Sequence, residues 1–574
     1  MDKISQLPDE LLLKVLLPLP TKVAANTSIL SKRWEFLWMW LPKLEYDHSM
    51  DERKSLIDFI TLNMPQHRAP VIESLRLNFS YGYEGSVTRE DIRMWVAIAV
   101  TRFLRVTYAD QKSLHRLLSS CPVLEDLFVK HNGCESEHLE TFSVIVPSLQ
   151  RLTLKICRGS FFQALVMNTP SLKYFKFTDY TCEHDDFSDI DFDFDYNGYS
   201  FYSDDMPKLE EMEVDSTYLD TENFVSLITY VKRLSLCLPD QAEKALYREG
   251  IVLSQLRHLK LCSCTIKWSK LLVLFLKDSP NLQELVVHLT IVSFFETDLL
   301  CWLNLICPVL EDLFVKHNGC ESEHLETFSV IVPSLQRLTL KICRGSFFQA
   351  LVMNTPSLKY FKFTDYTCEH DDFSDIDFDF DYNGYSFYSD DMPKLEEMEV
   401  DSTYLDTENF VSLITYVKRL SLCLPDQAEK ALYREGIVLS QLRHLKLCSC
   451  TIKWSKLLVL FLKDSPNLQE LVVHLTIDHT DICEDPPVCW ENQLNCVPGC
   501  LLSSLGTFKW IGIYGSQKEL DLVKFVLRNA CCLKTATILF RSWDSALEED
   551  ELEMVIQDLS FSSRGSKDVK LVFV

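Results

Sequence analysis

The chain has 574 residues, 47% of them hydrophobic and 24% charged, with a formal net charge of −26. That apolar share supports an extended core and excludes a disordered chain, and the acidic balance argues against a partner held mainly through nucleic-acid phosphates. Twenty-one cysteines, odd in number and sparse, follow a start interrupted by Asp2, Lys3, Asp9 and Glu10; this pattern excludes a secreted disulfide scaffold and predicts an intracellular protein of the cytoplasm or nucleus.

In chain order, Leu7-Pro8-Asp9-Glu10-Leu11 opens the first unit. Proline suits an opening helical turn, and acidic residues suit its positive end. Leu12, Val15, Leu16 and Leu19 then recur at helical spacing, and Pro18 is expected to end the helix near Leu17. Pro20 opens a second short helix, and Ser31 is placed to cap a third whose Trp34, Leu37 and Trp38 share one face. A unit of forty residues is too short to fold alone, so it exists to dock.

The runs Ile4-Ser-Gln-Leu-Pro-Asp-Glu-Leu-Leu-Leu-Lys14 and Thr27-Ser-Ile-Leu-Ser-Lys-Arg-Trp34 resemble an F-box. They are similar to those of plant F-box proteins that also carry leucine-rich repeats and a C-terminal FBD domain. The resemblance implies a substrate receptor of an SCF-type ubiquitin ligase, whose F-box grips a Skp-family adaptor and through it a cullin. It places Leu7, Pro8, Leu11, Leu30, Arg33 and Trp34 at the adaptor contact. Asn26 stands where the family has a small apolar residue.

Pro70-Val-Ile-Glu-Ser-Leu75-Arg-Leu77 reads as a first repeat, and Phe103–Ser113 is shorter than the matching stretch of the family. Beyond it, residues 121–291 recur unchanged at 307–477, an offset of 186 across 171 positions. Such identity marks a very recent duplication or a fusion of adjacent copies in a gene model, and the residues leave both origins open. Within each copy a Pro-x-Leu-x-x-Leu-x-Leu pattern returns. Its anchors Leu127, Leu152, Phe175, Met212, Leu234, Leu259 and Leu285 are spaced by 25, 23, 37, 22, 25 and 26 residues. Steps of 20 to 29 are the leucine-rich-repeat period, with one short strand per unit and obligatory stacking. The 28-residue step from Leu285 to Leu313 allows one continuous solenoid across the seam, and the apolar stretch 285–306, broken by His288, Glu296, Thr297 and Asp298, reads as repeat core rather than a membrane span.

The long step holds Asp179–Asp205, with ten acidic and no basic residues, repeated at Asp365–Asp391. It reads as a solvated loop. Asp193, Asp195, Asn197 and Asp204 have calcium-loop spacing, but Phe192, Phe194 and Tyr196 alternate at strand period and the twelfth position is Asp rather than Glu. Cys483, Cys489, Cys496 and Cys500 match no zinc knuckle. No metal and no cofactor is therefore expected.

Strand residues facing away from the core are the candidates for target binding: Arg151, Thr153, Lys155, Tyr174, Lys176, Glu211, Glu213, Asp215, Arg233, His258 and Lys260. They form basic, acidic and basic stripes on the expected concave face. After the second copy, residues 497–510, 519–537 and 558–573 resemble an FBD domain, with Val523, Val526 and Leu527 on a helical face and Thr535–Phe540 as a strand. No phosphate-cradling glycine loop or nucleophile motif appears, so no enzyme is expected.

The predicted fold class is α/β: a small helical F-box, a leucine-rich-repeat solenoid with parallel strands on the concave face, and a C-terminal α+β FBD cap. The predicted divisions are 1–48 F-box, 49–120 linker and first repeats, 121–291 first block, 292–306 connector, 307–477 second block and 478–574 FBD and cap. The expected partners are the Skp-family adaptor, a cullin and an unknown protein target, with no nucleic acid and no membrane. The other reading is a repeat scaffold, or a non-functional fused product, that does not engage the adaptor.

Overall fold

The structure is a computed structural model that describes residues 7–46, 67–69, 72–78, 101–108, 118, 123–131, 139–157, 162–180, 199–203, 206–216, 219–220, 225–237, 252–263, 268–289, 307–317, 325–343, 348–366, 385–389, 392–402, 405–406, 413–423, 438–448, 454–474, 497–513, 515–540 and 549–573. The chain divides into two compact units, Met1–Asn281 and Leu282–Val574.

The first unit opens with helices Asp9–Leu16 and Thr21–Asn26, entered from Pro8 and Pro20, both at φ −56°. The prolines sit at the cap, just before the first turn, where a missing N–H costs nothing. The first helix stops at Leu16, two residues before Pro18. The expected third helix is absent: Thr27–Ile29 and Leu37–Trp40 are 3-10 turns, and residues 32–36 form turns between them. Trp34 N–H and Leu37 N–H bond three residues back, to Ser31 and Trp34. The large rings at 34, 36, 38 and 40 lose rotamer freedom in a regular helix, and the tighter turns let Trp34, Leu37 and Trp38 reach Leu12, Leu16 and Ala24 in one core.

Strands β1 (Lys43–Tyr46), β2 (Ile72–Asn78), β3 (Thr101–Tyr108), β4 (Asp126–His131), β6 (Arg151–Cys157), β8 (Tyr174–Tyr180), β10 (Glu211–Asp215), β12 (Arg233–Cys237) and β13 (His258–Ser263) pair in that order, all parallel. The anchors Leu127, Leu152, Phe175, Met212, Leu234 and Leu259 fall in one register row, each fully buried. The repeat pattern sets that row. In Val146-Pro-Ser-Leu149, Leu149 N–H closes a turn on Val146 O, with proline at the position that fixes its φ. The next two N–H groups, of Gln150 and Arg151, both donate to Glu125 O of the preceding repeat, at 2.8 and 2.9 Å. Gln150 O in turn accepts from Lys173 and Tyr174. The shortened stretch after Phe103 still builds β3, paired on both sides.

One strand per repeat was expected, but four repeats have a second. β5 (Leu139–Ile145), β7 (Phe162–Asn168), β9 (Tyr199–Ser203) and β11 (Leu219–Asp220) form a separate parallel sheet. Phe142, Leu165 and Phe201 share one row of it, all buried, and Phe201 meets Phe175 and Phe177 edge-on at 6.0 and 5.8 Å. Residues 199–203 within the acidic stretch thus belong to a strand rather than a loop. The later repeats of the unit use helices Val225–Ile228 and Trp268–Asp278 instead.

In the second unit, β14 (Glu284–Leu289), β15 (Asp312–His317), β17 (Arg337–Cys343), β19 (Tyr360–Tyr366), β21 (Glu397–Asp401), β23 (Arg419–Cys423), β24 (His444–Cys448), β25 (Glu470–His474), β26 (Thr507–Ile513), β27 (Thr535–Phe540) and β28 (Lys570–Phe573) pair in order, again parallel. β16 (Leu325–Ile331), β18 (Phe348–Asn354), β20 (Tyr385–Ser389) and β22 (Leu405–Asp406) form its second sheet. The last strand of the first copy, β14, therefore pairs in register with the first strand of the second, Leu285 opposite Leu313. The helix Trp454–Asp464 repeats Trp268–Asp278.

The C-terminal segment continues the same sheet. Helix Gln517–Asn529 begins with a capping box between Ser516 and Glu519, and its Val523, Val526 and Leu527 are fully buried. Helix Glu549–Ser560 follows β27. Gly565 donates to Leu527 O at 2.8 Å, and a Cβ there would come within 2.6 Å of Arg528 O, so no larger residue fits unshifted. No helix among the described residues is long and apolar enough to cross a membrane.

Phe201→Ala leaves a cavity at the sheet-to-sheet contact and is expected to destabilise its repeats by about 3–5 kcal/mol. Phe387→Ala should cost the same, because Phe387 meets Phe361 and Phe363 at 5.9 and 5.5 Å; hydrogen exchange resolved by segment reads both. Burial also holds the pKa of His317 down to about 4. The unfolded chain binds that proton more readily, so the stability of β15 is present above pH about 6.5 and is lost as pH falls toward 4. Exchange rates at β15 should rise across that window, and His317→Leu should flatten the change.

Candidate functional site

The F-box surface is built from the residues that its core leaves out. Leu7, Leu11, Val15, Ile29 and Leu30 are 36, 43, 50, 88 and 63% exposed. Leu11 and Val15 stand four apart on one helix face. Arg33 brings the second segment to the first: its Nε and Nη2 both donate to Asp9 Oδ1, at 3.1 and 2.7 Å. This pair is solvated and adds little stability, but it sets Leu30 and Arg33 beside the Leu7-Pro8 helix start. Trp34 is placed differently. It is 4% exposed within the F-box core, so its ring shapes the platform beneath the surface residues. Val15, which helical spacing grouped with Leu12 and Leu16, faces out instead, and Ile29, Phe36 and Trp40, which sequence reading passed over, are exposed too. The signal for these three was present: they are large apolar residues off the core-facing stripe.

The F-box also closes one edge of the sheet. Glu45 N–H of β1 donates at 2.7 Å to Thr21 Oγ1, which is buried. An edge strand offers unpaired backbone groups, and a helix covers them here.

The second candidate surface is the face of the first sheet opposite its core. The register collects the predicted residues into rows: Arg151, Tyr174, Glu211, Arg233 and His258 in one, Thr153, Lys176, Glu213 and Lys260 in the next, and Lys155 and Asp215 in the third. The charged stripes lie side by side and engage each other. Tyr174 OH donates to Glu213 Oε1 at 3.0 Å and Lys176 Nζ to Glu213 Oε2 at 2.5 Å. Arg233 approaches Glu211 at 3.7 Å, and Arg151 lies 3.6 Å from Asp126 with its guanidinium 4.4 Å over the Tyr174 ring. Burial works to raise the Glu213 pKa, and the bonds from Lys176 and Tyr174 outweigh it, so the carboxylate is held below its ordinary range. Tyr174 is pushed up by burial and by the Glu213 charge.

The second unit repeats this geometry, with Tyr360 to Glu399 at 3.1 Å, Lys362 to Glu399 at 2.5 Å and Arg337 over Tyr360 at 4.4 Å. Its end differs: Glu470 receives Lys509 at 3.1 Å and His444 at 2.8 Å. The calcium-spaced residues Asp193, Asp195, Asn197 and Asp204, and three of the four clustered cysteines, lie outside the described residues. The fourth, Cys500, is buried, donates to Leu462 O at 3.2 Å, and has its thiol pushed up to about 11 by burial.

Residues 4–46 match the F-box domain model and residues 492–538 the FBD model. A putative F-box/LRR-repeat protein of Arabidopsis thaliana is 50% identical, the match covering 91% of each chain. A putative F-box/FBD/LRR-repeat protein of the same plant is 37% identical, and an FBD-associated F-box protein 32%, both over the full length of each chain. With a helical F-box unit, in-register parallel repeats and an FBD segment continuing the same sheet, this chain belongs to the F-box/LRR-repeat family whose members carry a C-terminal FBD.

Proposed function

We propose that this chain is the substrate-recognition subunit of an SCF-type ubiquitin ligase. The F-box docks a Skp-family adaptor and thereby a cullin, and the repeat face holds a protein target for ubiquitination. The reading gives the chain no catalytic role of its own and an intracellular site of action. One observation carries it: a unit of forty residues exposes Leu11, Val15, Ile29 and Leu30 together. Covering what each such side chain still exposes is worth roughly 1–2 kcal/mol, enough in sum for a stable docked helix surface once the costs of association are met. Leu7, Pro8 and Arg33 complete the proposed contact, with Trp34 supporting it from below. The Thr21 bond to β1 favours the same reading, because a receptor must hold its target at a set distance from the adaptor.

Co-expression of the full chain with a plant Skp-type adaptor tests the proposal. A stable complex is expected for the unaltered chain. Leu11→Asp should weaken it by at least about 1.5–3 kcal/mol, since a charge replaces a buried leucine. Leu11 is half exposed in the free chain, so its circular dichroism should not change. A folded chain that forms no complex would favour the scaffold or fused-product reading.

A further inference from the structure

The two blocks are identical in sequence, but their leading strands differ in what they meet. In the first unit, β4 pairs with β3, which sets Arg105 opposite Phe128; one row further, β2 sets Arg76 opposite Arg105. The Arg105 guanidinium lies 3.9 Å over the Phe128 ring. In the second unit the same first strand, β15, pairs with β14, and Val286 stands opposite Phe314 while Glu284 stands opposite Asp312. Opposite the twin of Phe128 the second block therefore has Val286 in place of Arg105, and opposite the twin of Asp126 it has the carboxylate Glu284 in place of Phe103.

The charge balance follows. Across β1, β2, β3, β4, β6 and β8, the described residues facing away from the core carry seven cations against the carboxylates of Glu45 and Asp126. This is a concentrated positive field on a chain of net charge −26. Across β14, β15, β17 and β19 the face holds four cations against Glu284 and Asp312, where the four matching strands β3, β4, β6 and β8 hold five cations against Asp126 alone. Arg76 is ion-paired to Glu45, and burial together with the Arg76 charge lowers the Arg105 pKa. Like charges held side by side on a partly desolvated face cost free energy, and an approaching anion relieves that cost.

We propose that the F-box-proximal part of this sheet face, centred on Arg76, Arg105, Lys130 and Lys155, docks an acidic segment of the target protein, and that the second block has no equivalent site. Stacking on Phe128 holds one face of the Arg105 guanidinium and leaves its edge for a bidentate carboxylate or phosphate. The Glu211-Glu213-Asp215 stripe bounds the site on its far side and repels an acidic chain from the rest of the face. This inference deepens the receptor reading by naming a target chemistry, yet its test does not depend on the adaptor.

Fluorescein-labelled twelve-residue peptides, one of glutamate with glycine spacers and one with phosphoserine at the same positions, would be titrated into the full chain by anisotropy, beside a lysine peptide. Saturable binding of either acidic peptide, weakening with salt, is expected. Arg105→Glu and Lys155→Glu should each weaken it about tenfold, while Lys341→Glu, the second-block twin of Lys155, should leave it within twofold. Binding of both peptides assigns carboxylate recognition; binding of the phosphoserine peptide alone assigns phosphate. Equal loss in Lys341→Glu, no binding at low salt, or tighter binding of a single-stranded oligonucleotide would overturn the proposal. Thermal melts of each variant establish folding. Adaptor complex formation, measured separately, keeps a failure of the receptor reading distinct from a failure of this one.

Discussion

One backbone carbonyl per repeat governs the register of both sheets. Where Glu125 O accepts two consecutive N–H groups, of Gln150 and Arg151, the following strand can start at only one position. The Pro-x-Leu turn delivers those two groups, because proline fixes the turn and the leucine closes it. Everything downstream inherits the choice: apolar alternates enter the core as a row, and polar alternates face away as a row. A slip of one residue would reverse both faces at once. That cost makes the array tolerant of variable connections, whether a strand such as β9 or a helix such as Trp268–Asp278 returns the chain to the next turn.

The same device explains how an exact duplication can be accommodated. The strand at the end of the block meets β15 in its first occurrence, and its twin β25 meets β26 in the second, with Leu285 opposite Leu313 and Leu471 opposite Phe508. Both followers present a large apolar residue at the anchor row. Nearest-neighbour stacking needs no more than that. Identity of sequence therefore gives identity of internal geometry, as the matched Tyr174–Glu213 and Tyr360–Glu399 bonds show.

The anchor residues, their row and their burial were legible because spacing and alternation are local properties. The second sheet was equally local, since Phe142, Val144, Leu165, Met167 and Phe201 alternate at strand period; the strong Pro-x-Leu signal drew the reading to one strand per repeat. The third F-box helix failed for a different reason. Trp34, Leu37 and Trp38 do share a core, so the pattern was right about contact and wrong about backbone, because helical spacing and successive 3-10 turns bring residues three and four apart to the same side. Trp34 shows the limit of carrying a role over by motif: the resemblance places it at the adaptor contact, and only the packing reveals that it faces inward.

What sequence could not reveal is adjacency across the sheet. Arg76 and Arg105 are 29 positions apart, and neither belongs to the duplicated block, yet pairing places them next to each other and next to Phe128. The residues of the predicted basic, acidic and basic stripes do face away from the core, but their charges partly cancel once Lys176 and Arg233 reach the carboxylates between them. A stripe read along one strand is a statement about side chains that point the same way. Its electrostatic effect depends on neighbours in the perpendicular direction, which the connection lengths alone do not fix. Two copies of one sequence can therefore present different fields, because a repeat shares its surface with whichever strand precedes it.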